Sequence, residues 1–276
     1  MENTASILIL VSGFAHAVVN GILKAGNDKM SGRALIDGFS ALLLAPAAFL
    51  VPLPTHAWGW LIASTAVHGL YLLALIKSFE QSDMTVAYPI ARGIAPMLAA
   101  TGAVAIFHEP ISISVVIGIT AIAVGVMFIG VSHKMQRSAL LWAGLTGTCI
   151  AAYTVIDAQG VRAAPTALSY IVWTFLALGG TLGTVFALWR GKAFFVSAAE
   201  QWKPGLMAGA LSIVSYGFAL FAFRLGATPR LAALRETSIL FGTAIAVIYL
   251  KERLTRLRLG GVLAIATGAA ILIALR

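Results

Sequence analysis

The chain is divided into ten apolar runs, and each run is long enough to cross a lipid bilayer. A spanning α-helix needs roughly 20 mostly apolar residues, and the runs are too continuous for the alternating strands of a membrane β-barrel. The sequence therefore predicts an all-α membrane protein with ten transmembrane helices. The runs cover residues 4–23, 34–53, 57–79, 86–107, 111–132, 139–159, 167–189, 204–223, 230–250 and 257–275.

Charge supports the same class of protein. Only 11% of the 276 residues are charged and 60% are hydrophobic, whereas a soluble domain carries about 25% charged residues. The net charge of +9 would suggest nucleic acid as a partner for a soluble protein. Here the basic residues flank the apolar runs, where they meet anionic lipid headgroups. The lipid bilayer is therefore the expected partner, and nucleic acid is not.

An internal repeat organises the ten runs. "RGIAPMLAATGAVAIFHE" (92–109) aligns with "RETSILFGTAIAVIYLKE" (235–252) at an offset of 143 residues, with Arg at both starts and Glu at both ends. At the same offset, "GITAIAVG" (118–125) matches "GVLAIATG" (261–268) at five of eight positions. A weaker match pairs "GFAHAVVNGILKAG" (13–26) with "GTCIAAYTVIDAQG" (147–160). The repeat predicts two units, residues 1–133 and 134–276.

Five helices in each unit make the repeat an inverted one. An odd number of spans means that the second unit enters the membrane from the side opposite the first. Transporters built this way bind substrate near the membrane midplane, between the units, and alternate access by rocking one unit against the other. The glycines spaced seven residues apart in the fifth and tenth helices are expected to let those helices pack closely.

The repeated motifs "HEPIS…GITAIAVG" and "KERLT…GVLAIATG" are similar to the E-[RP]-[LI]-[ST] motif and Gly-spaced helix of a known family. With five plus five helices, the chain resembles the drug/metabolite transporter superfamily, and within it the EamA-type permeases. The resemblance implies a secondary carrier of the bacterial inner membrane with a central cavity. A monomer and a homodimer are both compatible with the sequence. "YPIARG" and "ALRETS" also resemble stretches of EamA-type proteins linked to phosphonate use.

Two arginines lie inside apolar runs at equivalent positions of the two units, Arg92 and Arg235. An intramembrane arginine costs ~2.5–3.5 kcal/mol on insertion scales and normally faces a cavity or a partner. Its planar group donates two parallel hydrogen bonds to a carboxylate, phosphate or phosphonate. The pair therefore predicts an anion site, and the resemblance implies the same for Arg235, since phosphate-translocating relatives use basic residues on the ninth helix. Alternatively, each side chain reaches the membrane surface, or Arg235 pairs with Glu236 or Asp157.

Other polar residues in the apolar runs are candidates for the cavity wall. Tyr88 lies four residues before Arg92 and shares its helix face, while Pro96 removes a hydrogen-bond donor from the carbonyl of Arg92. Glu236 is either a carrier of a coupling proton or a constant counter-ion for Arg235. Asp157 is expected at the membrane surface. The remaining candidates are His16, Asn20, His68, Tyr71, Trp173 and Tyr216, although polar packing and interface aromatics explain such residues equally well.

The sequence carries no Walker motif, no G-x-S-x-G, no Cys/His metal cluster and no Cys/His pair. It therefore predicts neither an enzyme nor a cofactor. The leading hypothesis is a secondary transporter of a small anionic or zwitterionic metabolite, such as an amino acid, organophosphonate or phosphorylated compound, with protons as a candidate coupling ion. One alternative is a proton-coupled exporter of cationic drugs, although no acidic residue lies between Glu2 and Asp28. The other is a non-transporting protein that handles lipid.

The loops give an orientation. Lys and Arg gather in the odd-numbered links between runs, where the sequence has Lys24, Lys29, Arg33, Lys77, Lys134, Arg137, Arg190, Lys192, Lys203, Lys251, Arg253, Arg256 and Arg258. The even links and the C-terminus hold Arg162, Arg224, Arg230 and Arg276. The positive-inside rule therefore predicts that the odd links face the cytoplasm and that both termini lie outside. Members of the resembled family are usually drawn with both termini inside.

Overall fold

The computed structural model describes residues 2–26, 28–81, 84–130, 137–248, 251 and 255–275, without the side chains of residues 29, 79, 84–88 and 130. The described residues form α-helices and no strands. The helices are α1 (Glu2–Ala25), α2 (Lys29–Leu44), α3 (Trp58–Gln81), α4 (Met84–Phe107), α5 (Ile113–Gly130), α6 (Arg137–Ala163), α7 (Ala167–Leu178), α8 (Thr184–Arg190), α9 (Lys192–Leu225), α10 (Thr228–Arg235), α11 (Ser238–Ile248) and α12 (Arg256–Ala274).

These helices make ten membrane segments. Nine segments within the described residues are long and apolar enough to span a bilayer, and the shorter apolar helix α5 is the tenth. Three of the ten are composite. The second joins α2 to a 3₁₀-helical turn, Ala45–Phe49. The seventh joins α7 and α8 through a π-helical turn, Gly179–Gly183, and the ninth joins α10 and α11 across Glu236 and Thr237. The prediction of a ten-helix membrane protein is confirmed. The predicted boundary between the units, at residues 133 and 134, lies outside the described residues.

One predicted loop is wrong. Residues 190–203, between the predicted runs 167–189 and 204–223, were expected to form a link, but α9 begins at Lys192 and carries Pro204, where the later run was to start, in its interior. The turn before it is a single residue, Gly191, whose φ of +54° favours glycine. After Gly191 no other glycine or proline interrupts the chain until Pro204. The resulting helix of 34 residues is about 51 Å long at 1.5 Å per residue, so it extends beyond the hydrocarbon layer on the side of the odd links.

The fifth and tenth segments, α5 and α12, cross in contact through the repeated glycines. An added Cβ at Gly118 would lie 3.1 Å from the carbonyl oxygen of Gly268, and one at Gly125 would lie 2.7 Å from that of Gly261. The first glycine of one helix therefore meets the second glycine of the other. This reciprocal, antiparallel contact is what an inverted pair of units produces, and it confirms the close packing predicted for these glycines.

A substitution at this crossing is expected to destabilise the fold. A Cβ at Gly261 would lie 2.6 Å from the carbonyl oxygen of Gly125 and 2.7 Å from Ile129 Cγ1, whereas one at Gly260 meets nothing within 4 Å. Gly261→Val should lower the free energy of unfolding by about 1–3 kcal/mol through overpacking. Gly260→Val, its matched control, should change it little. Thermal unfolding of both variants in detergent measures the difference, and equal stability would contradict this packing.

Candidate functional site

A cavity of about 450 Å³ runs into the middle of the helix bundle. Its inner end is formed by side chains from α1, α4, α6, α10 and α11, and its mouth by residues at the end of α1 and the starts of α2 and α12: Lys24, Met30, Arg33 and Arg258. The mouth therefore opens on the side of the odd links. The size is in the range of pockets that hold small organic ligands.

Arg92 lies at the inner end of this cavity and is held by two residues of the ninth segment. Its Nε lies 3.0 Å from Glu236 Oε2, and it donates a hydrogen bond of 2.7 Å from Nη2 to Ser238 Oγ. Arg92 is 4% exposed and Glu236 is 3% exposed. Glu236 is therefore the counter-ion of Arg92. The alternative in which Glu236 pairs with Arg235 is wrong.

Arg235, the second arginine of the repeat, lines the same inner end without a carboxylate partner among the described residues. Its guanidinium lies 5.0 Å from the ring centroid of Tyr216, within the range of a cation–π contact. Its Nε makes no hydrogen bond with the described part of the chain. At 8% exposure Arg235 does not reach the membrane surface, and neither does Arg92.

The ninth segment is broken where these charges meet. Glu236 and Thr237 separate α10 from α11, and their amides bond to carbonyls three residues back, Glu236 N to Ala233 O and Thr237 N to Leu234 O. The Thr237 hydroxyl also donates to Leu234 O, which competes with the regular helical pattern. The predicted span 230–250 was continuous. Discontinuous helices near the midplane are typical of transporter substrate sites.

The charged side chains that the structure describes along the cavity are all of one sign. Among the lining residues that the structure describes there is no aspartate or glutamate, and the cationic ones are Lys24, Arg33, Arg92, Arg235 and Arg258. Arg33 is bridged to Asp37 at 2.9 Å. Since Glu236 neutralises Arg92, the inner end keeps one net positive charge, carried by Arg235. Such a site favours an anion.

Asp157 is buried rather than at the membrane surface, so that prediction is wrong. It is 0% exposed because α6 continues to Ala163, which places Asp157 inside the bundle. Tyr170 Oη donates to Asp157 Oδ1 at 2.7 Å, and Tyr216 Oη donates to Oδ2. Tyr216 thus joins a buried carboxylate to the face of Arg235. Asp157 does not pair with Arg235 directly.

The other predicted site residues divide into two groups. His16, Asn20 and Tyr71 line the cavity. His68 lies behind its wall, stacked on Tyr153 with ring centroids 4.0 Å apart, and Trp173 packs edge-on against Trp58 at 5.2 Å, away from the cavity. The backbone of Tyr88 belongs to α4, but its side chain lies outside the described residues.

Sequence reasoning missed several lining residues. Ser238 holds Arg92, and Thr243, Lys24 and Arg258 also face the cavity. Ser238 lies three residues after Arg235, on the same side of the continuous helix that the sequence predicts, and that spacing could have indicated it. Lys24 and Arg258 were assigned to the loops alone, because their positions in the sequence do not show that helix ends converge at the mouth.

The opposite end of the bundle is closed by a polar cluster around Glu109. Glu109 Oε1 accepts from Arg162 at 2.6 Å and Oε2 accepts from the backbone N of Thr228 at 2.8 Å. Arg162 also donates to the carbonyls of Phe223 and Gly226 at 2.9 and 2.7 Å. These contacts tie the ends of α4, α6 and α9 to the start of α10, as expected of a bridging glutamate.

A family model described as EamA-like transporter family matches residues 137–274, half of the chain. The chain belongs to the EamA-like transporter family. This EamA-like protein is therefore a multi-pass membrane transporter of the drug/metabolite superfamily. It is also similar to a protein of known crystal structure, with a TM-score of 0.74 and 14% identity over 97% of this chain and 94% of the other. Identity this low shows a shared fold alone. No curated protein matches the chain.

Proposed function

We propose that this EamA-like protein is a secondary transporter of a small anionic or zwitterionic metabolite, and that it catalyses no reaction. The observation that carries the proposal is the inner end of the cavity, where Arg92 is paired with Glu236 while Arg235, also buried, has no carboxylate partner among the described residues. The remaining positive charge is poorly solvated there, so an entering carboxylate or phosphonate gains charge-assisted hydrogen bonds. Arg235 offers the anion its guanidinium, and Arg92 is fixed beside it by Glu236 and Ser238.

The two ends of the bundle differ as alternating access requires, because one end is open and the other is closed. The cavity opens among the odd links, while the Glu109 cluster closes the side of the even links. We propose that binding at Arg235 favours the opposite arrangement, in which the Glu109 cluster separates and the mouth closes. By the charge count of the loops, the open side faces the cytoplasm of a bacterial inner membrane.

Uptake into proteoliposomes tests the proposal. Purified protein is reconstituted, and radiolabelled carboxylates, phosphonates, phosphorylated compounds and amino acids are offered with and without a pH gradient. Saturable uptake of a compound with an anionic group, absent from protein-free liposomes, is the expected result. Movement of organic cations alone would favour the drug-exporter alternative. Lipid scrambling without solute uptake would favour the lipid-handling alternative.

Removing the charge of Glu109 should open the closed end more often. Glu109→Gln weakens the acceptor of Arg162 and of the Thr228 amide, and breaking a largely buried pair costs about 3 kcal/mol. A cysteine introduced at Ala232, in a Cys149→Ala background, should therefore react faster with a thiol reagent added from the even side. Glu80→Gln, which removes the exposed pair with Lys77, is the matched control. Equal labelling of the two variants would contradict a gate at Glu109.

A further inference from the structure

The chemistry of the cavity narrows the substrate further than the proposed function does. We propose that the transported molecule is an amphipathic monoanion: a singly charged oxyanion, such as a carboxylate, on an apolar body, without an ammonium group. This inference rests on the proposed function, because it assumes that the anion binds at Arg92 and Arg235. Of the anionic and zwitterionic substrates in the proposed function, it selects the anionic ones.

An ammonium group would find no unengaged carboxylate among the described residues at the inner end of the cavity. Glu236 lies against Arg92 at 3.0 Å and does not line the main cavity. Asp37 is bonded to Arg33 at 2.9 Å. Asp157 accepts from Tyr170 and Tyr216. Each of these carboxylates near the cavity is therefore already ion-paired or hydrogen-bonded by a group of the protein itself.

The position of the ammonium in an amino acid makes binding of a zwitterion at this site especially unfavourable. In an α-amino acid the ammonium is attached to the carbon next to the carboxylate. If the carboxylate binds Arg92 and Arg235, the ammonium must lie within a few ångströms of the same guanidinium groups. Like charges brought together away from water repel, and an unpaired buried ammonium loses its hydration. In a zwitterion, the repulsion and the desolvation of the ammonium would therefore offset much of the binding free energy that the carboxylate contributes.

The wall between the inner end and the mouth is apolar. Apart from a few polar residues such as Asn20, Tyr71 and Thr243, most of its side chains offer no polar atom to a ligand, including Leu72, Leu75, Ile76, Ile129, Ile239 and Ile245. Hydrophobic burial contributes roughly 25 cal/mol per Å² of apolar surface removed from water. A substrate with an apolar body would therefore bind more tightly than a small polar anion. The single net charge of the inner end matches a single charge on the ligand.

A set of three ligands with one skeleton tests the inference. 3-Phenylpropionate is an anion, L-phenylalanine adds only the α-ammonium, and 2-phenylethylamine has the ammonium without the carboxylate. Binding of each to the purified full-length protein is measured by isothermal titration calorimetry, for the wild type and for Arg235→Gln. The expected result is binding of 3-phenylpropionate at least tenfold tighter than of L-phenylalanine, no binding of 2-phenylethylamine, and loss of 3-phenylpropionate binding in the variant.

The two proposals fail in different ways. If L-phenylalanine binds as tightly as 3-phenylpropionate and both are lost in Arg235→Gln, the monoanion inference is overturned and the arginine site stands. If 3-phenylpropionate binds equally to wild type and variant, the arginine site itself is wrong. If none of the three ligands binds the wild type, the amphipathic monoanion is overturned, and proteoliposome uptake of other anions then decides the proposed function.

Discussion

Arg235→Gln should weaken binding of an organic anion by at least about 100-fold, because it removes two charge-assisted hydrogen bonds of about 1.5–3 kcal/mol each. The folded protein should remain about as stable as the wild type. Arg235 has no ion pair among the described residues, and its Nε has no hydrogen-bond partner there. The loss of its contact with Tyr216 costs about 1 kcal/mol. Equilibrium binding and thermal unfolding, measured on the same preparation, separate the two effects.

Arg137→Gln is the control for this prediction. Arg137 is exposed at the start of α6 and is not among the residues that line the cavity. Its replacement removes the same charge from the protein without touching the cavity, so anion binding should persist. An Arg235→Gln variant that is folded and binds anions as the wild type does would contradict a role for Arg235 in the site.

Arg92→Gln should behave differently, because it leaves Glu236 as a buried carboxylate that has lost its counter-ion. Breaking a buried ion pair from one side costs about 3–5 kcal/mol, and Arg92 and Glu236 are only 4% and 3% exposed. The variant should therefore unfold at a clearly lower temperature. Adding Glu236→Gln removes the stranded charge and should restore most of the stability. Anion binding should stay weak in both variants.

Lys77→Gln serves as the matched control, since it breaks an ion pair in which both side chains are about half exposed, 51% and 53%. Exposed pairs contribute about 0–1 kcal/mol, so its stability should stay near that of the wild type. If Arg92→Gln proves as stable as Lys77→Gln, or if Glu236→Gln fails to rescue it, the Arg92–Glu236 pair is not what holds this part of the site.

The sequence predicts the central residues of the site because the internal repeat pairs them. Arg92 and Arg235 correspond at an offset of 143 residues, and both lie at the inner end of the cavity. Gly118 and Gly261 correspond in the same way and lie in the α5–α12 crossing. Equivalent residues of inverted units lie close together when both are near the pseudo-symmetry axis, where such transporters bind substrate, and the two arginines fit that position.

The departures from symmetry could not be read from the sequence. Glu236 is adjacent to Arg235 in the chain, but successive residues of a helix do not face each other, and Glu236 bonds Arg92 of the other unit instead. The break at Glu236 and Thr237 depends on that contact and on the Thr237 hydroxyl. The sequence did not indicate that Asp157 accepts hydrogen bonds from two tyrosines, because Tyr170 and Tyr216 belong to separate helices.

The central claim, an anion held between Arg92 and Arg235, is tested most directly by locating a bound anion. Crystals of the protein grown with 3-(4-iodophenyl)propionate would show the iodine by anomalous scattering. The account predicts the carboxylate about 3 Å from both guanidinium groups, with the iodinated ring along the apolar wall toward the mouth. A carboxylate bound instead at Lys24 and Arg258, or an iodine found only on the lipid-facing surface, would contradict it.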